Sequence, residues 1–379
     1  MKIVTIIGAR PQIIKAAALS RAIRNHFSDR IQEIIVHTGQ HYDNNMSQVF
    51  IDELGIPEPD YNLNIGSGSH GLQTAGMISG IEKILLKEKP GFLVLYGDTN
   101  STLAGAIAAS KIHIPIVHIE AGLRSFNKSM PEEINRIMAD HASTLLFSPT
   151  LTGIQNLVKE GFDQDNTGPF SPDHPGIFHC GDVMYDNSLY FETIAREKSK
   201  ILQKLGLENN AFYLATVHRD NNTDQPERLN AIFEAFQEIT ESTNIPLVLP
   251  LHPRTAKLLK KNLNGELYKK VDQNAFIRLI EPVSFLDMIV LEKNCQLVFT
   301  DSGGVQKEAY FFEKPAIILR SETEWKEIVE QGCGLIANAD KNKILEAFTH
   351  FQKLGKTLEF PNIFGDGKAA EFIVKQMLD

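Results

Sequence analysis

A chain of 379 residues, 42% hydrophobic and 22% charged, can bury two domain cores, and its balance is that of a globular enzyme, not of a disordered segment. A net charge of -9 argues against a general nucleic-acid binder, though a local basic pocket could still take a phosphate. Cys180, Cys295 and Cys333 are scattered without CxxC spacing, so neither a disulfide framework nor a metal site is expected, and no apolar run approaches the roughly 20 residues of a membrane span.

The first predicted strand is Lys2 to Ile7. Its apolar run is too short for a signal h-region, which gives the expectation of a cytoplasmic protein. G-A-R-P-Q-I-I-K then turns into a helix reaching about Arg24, with Pro11 suited to a first helical turn because its missing N–H costs nothing there. The turn lacks G-x-G-x-x-G and is not a dinucleotide fingerprint. Arg10 and Lys15 instead bring two cations to a helix N-terminus, where an anion such as phosphate is favoured.

A second strand, Ile31 to His37, leads into T-G-Q-H-Y-D, so Gln40 and His41 sit at a strand end, with a helix expected through Phe50. A polar loop from Gly55 to Gly68 and a helix from about Gly71 to Glu88 follow. Strands Phe92 to Tyr96 and Ile114 to Ile119 each end in a carboxylate, Asp98 and Glu120. Glu132, in P-E-E-I-N-R, stands at a helix start. An acid after a strand can be no more than a cap or turn residue. Here His118 and Arg124 flank Glu120, and Arg136 lies four residues past Glu132, company that a solvated charge run would not keep. Acids gathered beyond the carboxyl ends of parallel strands occupy the ligand crevice of such a sheet, and mutual repulsion and burial can separate their pKa values for proton transfer.

Strand Thr144 to Phe147, helix Leu151 to Glu160, a loop over 162–176 and a last strand in I-F-H-C-G-D-V-M complete the first half. The alternation predicts a doubly wound parallel sheet. A single long helix to about Leu205 opens the second half, where strands are read at Phe212 to Thr216, Leu247 to Pro250, Phe276 to Leu279, Leu297 to Thr300 and Ala316 to Leu319. His218 and Arg219 follow the first of these. T-D-S-G-G-V-Q-K-E passes from strand to helix, leaving the amides of Ser302, Gly303 and Gly304 open to a diphosphate, with Glu308 one turn on to hold ribose hydroxyls. A glycine-rich turn can also be only a tight connection. Arg320 ends a strand, the single tryptophan, Trp325, is read as packing, and an amphipathic helix closes the chain. The predicted fold class is α/β, two Rossmann-like doubly wound parallel-sheet domains: 1–185 plus 366–379, carrying the acids, and 186–365, binding a nucleotide diphosphate.

In that order, G-A-R-P-Q-I-I-K, Y-G-D-T-N-S-T-L-A, H-I-E-A-G-L-R, P-E-E-I-N-R, T-V-H-R, L-H-P, T-D-S-G-G-V-Q-K-E-A and F-G-D-G resemble the non-hydrolysing UDP-N-acetylglucosamine 2-epimerases over nearly the whole chain. The resemblance implies the glycosyltransferase-B arrangement, with an active site in the cleft between the two domains. It implies that Asp98, Glu120 and Glu132 are catalytic and that His218 lies near the diphosphate. It further implies that Arg10 and Lys15 line the cleft, that Ser302, Gly303, Gly304, Glu308 and Arg320 hold UDP, and that Met288 replaces an aromatic residue beside uracil. Gln40, His41, Arg219 and His252 match an allosteric pocket of the family, while Asp43 stands where a glutamine is expected. H-T-G-Q-H-Y-D-N-N-M-S, R-S-F-N and P-L-H-P-R-T are closer to the branch acting on UDP-2,3-diacetamido-2,3-dideoxyglucuronate. The expected reaction is epimerisation at C2 of a UDP-2-acetamido sugar by a homodimer, without a cofactor, metal, nucleic acid or membrane. A UDP-sugar glycosyltransferase of the same fold is the alternative of a different class.

Overall fold

The computed structural model describes residues 1–39, 58–66, 68–251 and 253–379, and within these every side chain except those of Arg10, Pro253 and Arg254. It divides into two compact units, Met1–Asn187 with Asn362–Asp379, and Ser188–Pro361.

The first unit holds a seven-stranded parallel sheet of β1 (Lys2–Ile7), β2 (Gln32–His37), β3 (Tyr61–Asn62), β4 (Phe92–Tyr96), β5 (Ile116–Ile119), β6 (Leu145–Ser148) and β7 (Gly176–His179), in the order β3-β2-β1-β4-β5-β6-β7. Its strands are near-continuous apolar runs because helices cover both faces, as parallel sheets require. On one face Val4, Ile6, Leu93 and Leu95 pack against Met77, Ile81 and Leu85 and against Ala104 and Ala108. The helices used below are α1 (Arg10–Ala22), α2 (His70–Glu88), α3 (Asn100–Lys111), α4 (Pro131–Ala142), α5 (Leu151–Lys159) and α6 (Val183–Lys198). Pro11 occupies the first turn of α1, and the hydroxyl of Thr99 caps α3 by accepting from the Thr102 amide.

The second unit repeats the plan with six parallel strands, β8 (Tyr213–Thr216), β9 (Leu247–Pro250), β10 (Ile277–Ile280), β11 (Val298–Thr300), β12 (Ala316–Ile318) and β13 (Gly334–Ile336), in the order β10-β9-β8-β11-β12-β13. Side chains alternate across it. Tyr213, Ala215, Leu247 and Leu249 face a cluster with Phe233, Phe236 and Phe348, while Phe212, Leu214 and Val248 face Leu291, Cys295 and Ala309. That period of two is what a pleated strand imposes.

Both orders reverse beside the first strand of their unit, between β1 and β4 and between β8 and β11. This is the Rossmann strand order, and the crevice at the carboxyl ends flanking the reversal is where such sheets take ligands.

Several elements depart from expectation. Tyr61–Asn62 lies in the stretch read as loop, yet pairs with Val36–His37 as a short edge strand. The long helix expected to run to Leu205 is broken into α6 and α7 (Ile201–Leu205). At the break the Ser199 hydroxyl donates to Asp287 and accepts from the Ile201 amide, a local bond that competes with the helical ladder. Strand β7 stops at His179, short of the reading through Met184, and β13 went unread because three residues, the first of them a glycine, carry no period. The helix expected through Phe50 lies outside the described residues.

Candidate active site

In the first unit the strand register sets the geometry. Tyr96 of β4 pairs with Ile119 of β5, so Gly97–Asp98 and Glu120 leave adjacent strands at the same level, beside the reversal of strand order. The N-terminus of α1 is fastened to this place by Gln12. Its carbonyl oxygen accepts from the Ala9 amide at 3.2 Å, and its amide donates to the Tyr96 carbonyl and the Thr102 hydroxyl, each at 3.0 Å. Lys15, on the second turn of α1, thereby reaches the Glu120 carboxylate and forms a direct ion pair with it. Gly97 has φ +59°, and a Cβ there would stand 3.1 Å from Glu120 Oε2 and 3.2 Å from Lys15 Nζ. Glycine meets both the left-handed backbone and the lack of room. Glu120 itself adopts φ +71°, an uncommon backbone for a side chain with a Cβ, and one that the surrounding bonds must hold.

Asp98 pairs directly with Arg136, and its backbone carbonyl accepts from Asn135 Nδ2 at 2.8 Å. Burial pushes the Asp98 carboxyl above its ordinary value; Arg136 and Lys15 pull it down, and the charges of Glu120 and Glu132 push it up. Glu132 is exposed in the first turn of α4, while its neighbour Glu133 is buried. Glu133 accepts from the Ser125 and Phe126 amides, both at 2.9 Å, and from Arg136. Burial acts to raise the Glu133 carboxyl, but these donors hold it below the usual range. P-E-E-I-N-R therefore supplies one acid facing solvent and one that fixes the loop before it.

Of the charged company around Glu120, Arg124 turns inward. It pairs with Asp140 and Glu160, both at 2.7 Å. His118 is buried between Asp140 and the Gly97 carbonyl. The Arg10 side chain, Gln40, His41, Asp43 and His252 lie outside what is described, so only Arg219 of the group matched to the allosteric pocket has a described side chain.

In the second unit the turns after β8 and β11 are joined through Asp301, which is fully buried. Its carboxylate accepts from the His218 amide at 3.1 Å, the Arg219 amide at 3.1 Å and Asn222 Nδ2 at 3.0 Å, and meets His218 Nδ1 at 3.2 Å. The His218 imidazole is half exposed. Ser302 caps α8 (Gly303–Phe311), its hydroxyl accepting from the Val305 amide; its own amide, expected to be open, instead donates to Thr300 Oγ1 at 2.9 Å, which leaves Gly303 and Gly304 in the first turn of a helix whose positive end favours an anion. Arg320 Nη1 donates to Glu324 at 2.7 Å; burial works to raise Glu324, but Arg320 foremost, with Arg219, holds it below its ordinary value. Met288 is half-buried against the Phe212 and Leu214 side of the core. Glu308 faces the carboxyl of buried Glu292, which burial first and then Glu308 push far above the usual range.

Asp301, Gln12, Glu133, Asn135, Asp140 and Glu292 were not singled out from the sequence. Four of them lie inside motifs that were, beside the residues chosen. Their side chains bind backbone and neighbours, and nothing in a one-dimensional pattern separates that use from contact with a ligand. Among the described residues no cluster of histidine, cysteine, aspartate and glutamate could hold a metal ion, and none of their helices is long and apolar enough to cross a membrane.

The family model described as UDP-N-acetylglucosamine 2-epimerase matches residues 23–378. The chain belongs to that family. Its members are isomerases, and full-length relatives include an UDP-N-acetylglucosamine 2-epimerase homolog of Methanococcus maripaludis, 50% identical over 376 residues and 99% of both chains. The UDP-2,3-diacetamido-2,3-dideoxy-D-glucuronate 2-epimerase of Pseudomonas aeruginosa is 47% identical over 378 residues, covering 100% of this chain and 99% of that one. The solved Methanocaldococcus jannaschii UDP-GlcNAc 2-epimerase, in complex with UDP-GlcNAc and UDP, is 42% identical with a TM-score of 0.82, covering 100% of this chain and 99% of the other. A glycosyltransferase from Rickettsia africae, at 14% identity and a TM-score of 0.56, shares the fold alone.

Proposed function

We propose that this epimerase inverts C2 of a UDP-2-acetamido sugar, interconverting UDP-N-acetylglucosamine and UDP-N-acetylmannosamine, as a step toward surface-polysaccharide precursors. The C2 proton adjoins no ketone or ester and is weakly acidic, so removing it alone is unfavourable. Elimination avoids that difficulty. A carboxylate takes the C2 proton, the C–H electrons form the C1–C2 double bond of a 2-acetamidoglycal, and the C1–O bond breaks with its electron pair going to UDP. Re-addition of UDP at C1, with a proton delivered to the opposite face of C2, gives the epimer. Nothing is oxidised overall, so the reaction requires no redox cofactor.

Asp98, Glu120 and Glu132 carry the proton transfers in this scheme, Lys15 holds the Glu120 carboxylate in an ion pair, and Arg10, His218 and the Gly303 and Gly304 amides after Ser302 stabilise the departing diphosphate. Glu308, Arg320 and Met288 hold the nucleoside. The observation that carries the reading is the pairing of Asp98 and Glu120 on adjacent strand ends, each backed by its own cation, Arg136 and Lys15. A carboxylate so held keeps its position, and at Asp98 burial and then opposing charges act on the proton affinity. On the same reading the enzyme works in the cytosol as a homodimer, an assembly that light scattering of the purified protein tests.

A second substrate is supported by the 47% identity to the diacetamido-glucuronate enzyme, which stands between the 50% to the UDP-N-acetylglucosamine 2-epimerase homolog of Methanococcus maripaludis and the 42% to the Methanocaldococcus jannaschii UDP-N-acetylglucosamine enzyme. The deciding experiment incubates the protein with each UDP-sugar in D2O and follows C2 by NMR. Formation of the 2-epimer carrying deuterium is expected with one of them. Release of free sugar and UDP without the epimer, or no exchange with either, would overturn the reading. Asp98→Asn is expected to abolish deuterium incorporation while UDP still binds.

A further inference from the structure

We propose that His118 and Asp140 are a positioning pair that fixes Asp98 and Glu120 relative to each other. The inference rests on the reading that those two carboxylates perform the proton transfers. It adds two residues that touch neither substrate nor reacting atoms.

Asp140 lies on α4 and His118 on β5, and neither is exposed to solvent. Asp140 Oδ1 takes His118 Nδ1 at 2.6 Å, and the other imidazole nitrogen, Nε2, donates to the Gly97 carbonyl at 2.8 Å. Asp140 Oδ2 accepts from the Gly122 amide at 3.1 Å and from Arg124 Nη1 at 2.7 Å. One carboxylate therefore commands both turns. Through His118 it holds the peptide joining Gly97 to Asp98, and through Gly122 it holds the turn that begins at Glu120.

Those turns need holding. Gly97, Glu120 and Gly122 have φ of +59°, +71° and +79°, and a left-handed Glu relaxes unless its neighbours over-determine it. Each turn has a second fastening, the Gly97 amide to the Ile119 carbonyl at 3.0 Å and Asn156 Nδ2 to the Gly122 carbonyl at 3.0 Å. Burial acts to raise the Asp140 carboxyl, yet the charges and hydrogen bonds of His118 and Arg124 keep it below the ordinary range. A core that needed only cohesion would do as well with apolar side chains of similar volume, since buried ion pairs roughly break even against them. What an apolar replacement could not supply is a directed N–H at the Gly97 carbonyl.

Asp140→Ala would take from buried Arg124 one of its two carboxylate partners and leave Glu160 alone to pair it, with a risk of unfolding, so the deciding variants are at His118. A glutamine amide reaches the Nε2 position and can still donate to Gly97. An asparagine amide occupies the Nδ1 position and keeps Asp140, but not Gly97. His118→Asn is expected to lower kcat and C2 deuterium exchange roughly a hundredfold, the effect of a misplacement near 1 Å, with KM within about threefold. His118→Gln should recover at least about tenfold of that loss, with UDP affinity unchanged in both variants. Circular dichroism and melting temperature, measured on both, separate activity from folded fraction. Equal losses in the two variants, losses that follow melting temperature, or an unaffected His118→Asn would overturn the positioning role. A wild-type protein that exchanges no C2 proton on any UDP-2-acetamido sugar would instead overturn the underlying reaction, and the positioning pair would fall with it.

Discussion

The reversal points of the two sheets have the same topology and opposite chemistry. Beside β1 and β4 the ends carry charged side chains in contact, Lys15 with Glu120 and Arg136 with Asp98. Beside β8 and β11 the ends offer the first-turn amides of α8 and the half-exposed His218 imidazole, while the His218 and Arg219 amides are taken up by buried Asp301. A diphosphate is met well by fixed N–H dipoles, which bring partial positive charge without long side chains to order. Proton transfer at carbon needs groups that can gain and lose a proton, which amides cannot do. The difference teaches that the strand order selects where a ligand sits, while the residues just past the strand ends decide what is done there.

The contrast is broken most severely at the first unit. Asp98→Asn and Glu120→Gln should each lower epimerisation about a thousandfold or more, in the range expected for loss of general acid–base catalysis, with UDP affinity within about threefold by calorimetry. If UDP affinity fell as far as kcat, the acids would be serving the nucleotide and the division of labour would be wrong. The converse probe is Asp301→Ala in the second unit. It removes the acceptor of two amides and of Asn222, and should cost about 3 kcal/mol of stability, as a buried charged hydrogen-bond hub does. UDP affinity should weaken at least tenfold, because the His218 turn loses its anchor. Thermal melts with and without UDP measure both quantities; undiminished UDP binding in a folded variant would separate that turn from the nucleotide.

Much of the fold is legible in the sequence. Largely apolar runs mark β1, β4 and β5 because buried parallel strands have no solvent-facing side, and an acid within two residues of such a run is conspicuous, as Asp98 and Glu120 are. Their cations were only half legible. Lys15 and Arg136 lie 105 and 38 residues from their partners, distances that no local pattern spans. Arg124 shows the opposite failure. Its nearness in sequence to Glu120 suggested a shared site, yet its guanidinium is buried on Asp140 and Glu160. Asp301 was overlooked because the glycines and Ser302 after it draw attention to open amides, whereas its own work is to hold the preceding turn. The break at Ser199 and the three residues of β13 are set by tertiary partners, and local propensity does not encode them.

A gentler probe sharpens the comparison where the backbone and the charges meet. In Gly97→Ala the new Cβ must share space with Glu120 Oε2 at 3.1 Å and Lys15 Nζ at 3.2 Å, on a backbone with φ +59°. The left-handed conformation alone should cost about 1–2 kcal/mol, and moving the Lys15 and Glu120 pair should lower kcat about tenfold. Denaturant midpoints and steady-state rates test this. An alanine variant with native kcat would mean that the pair tolerates displacement and that its position is not set by the turn.

The smallest effect is expected at Asp186, whose carboxylate accepts from the Ala369 and Ala370 amides at 3.1 Å and 2.8 Å. Burial foremost, opposed by those amides, pushes its carboxyl up to about 6 from an ordinary 3.8. Between those values the folded state binds the proton more tightly than the unfolded chain. The contribution of Asp186 to stability is thus complete below about pH 4 and is lost as pH rises through 6. Asp186→Asn removes the cost of the buried charge and weakens the two hydrogen bonds, so stability at pH 7 should change by less than about 1 kcal/mol. The informative quantity is the slope. Denaturant unfolding from pH 4 to 7 should show less decline in the variant than in the wild type, and equal slopes would mean that Asp186 binds no more protons in the folded protein than in the unfolded chain. Asp98, whose carboxyl is also raised, should add to the slope in the same direction. The Asp98→Asn protein made for the kinetic test supplies that second curve, and with it a measure of how much of the first unit's pH response belongs to the Asp98 end of the sheet.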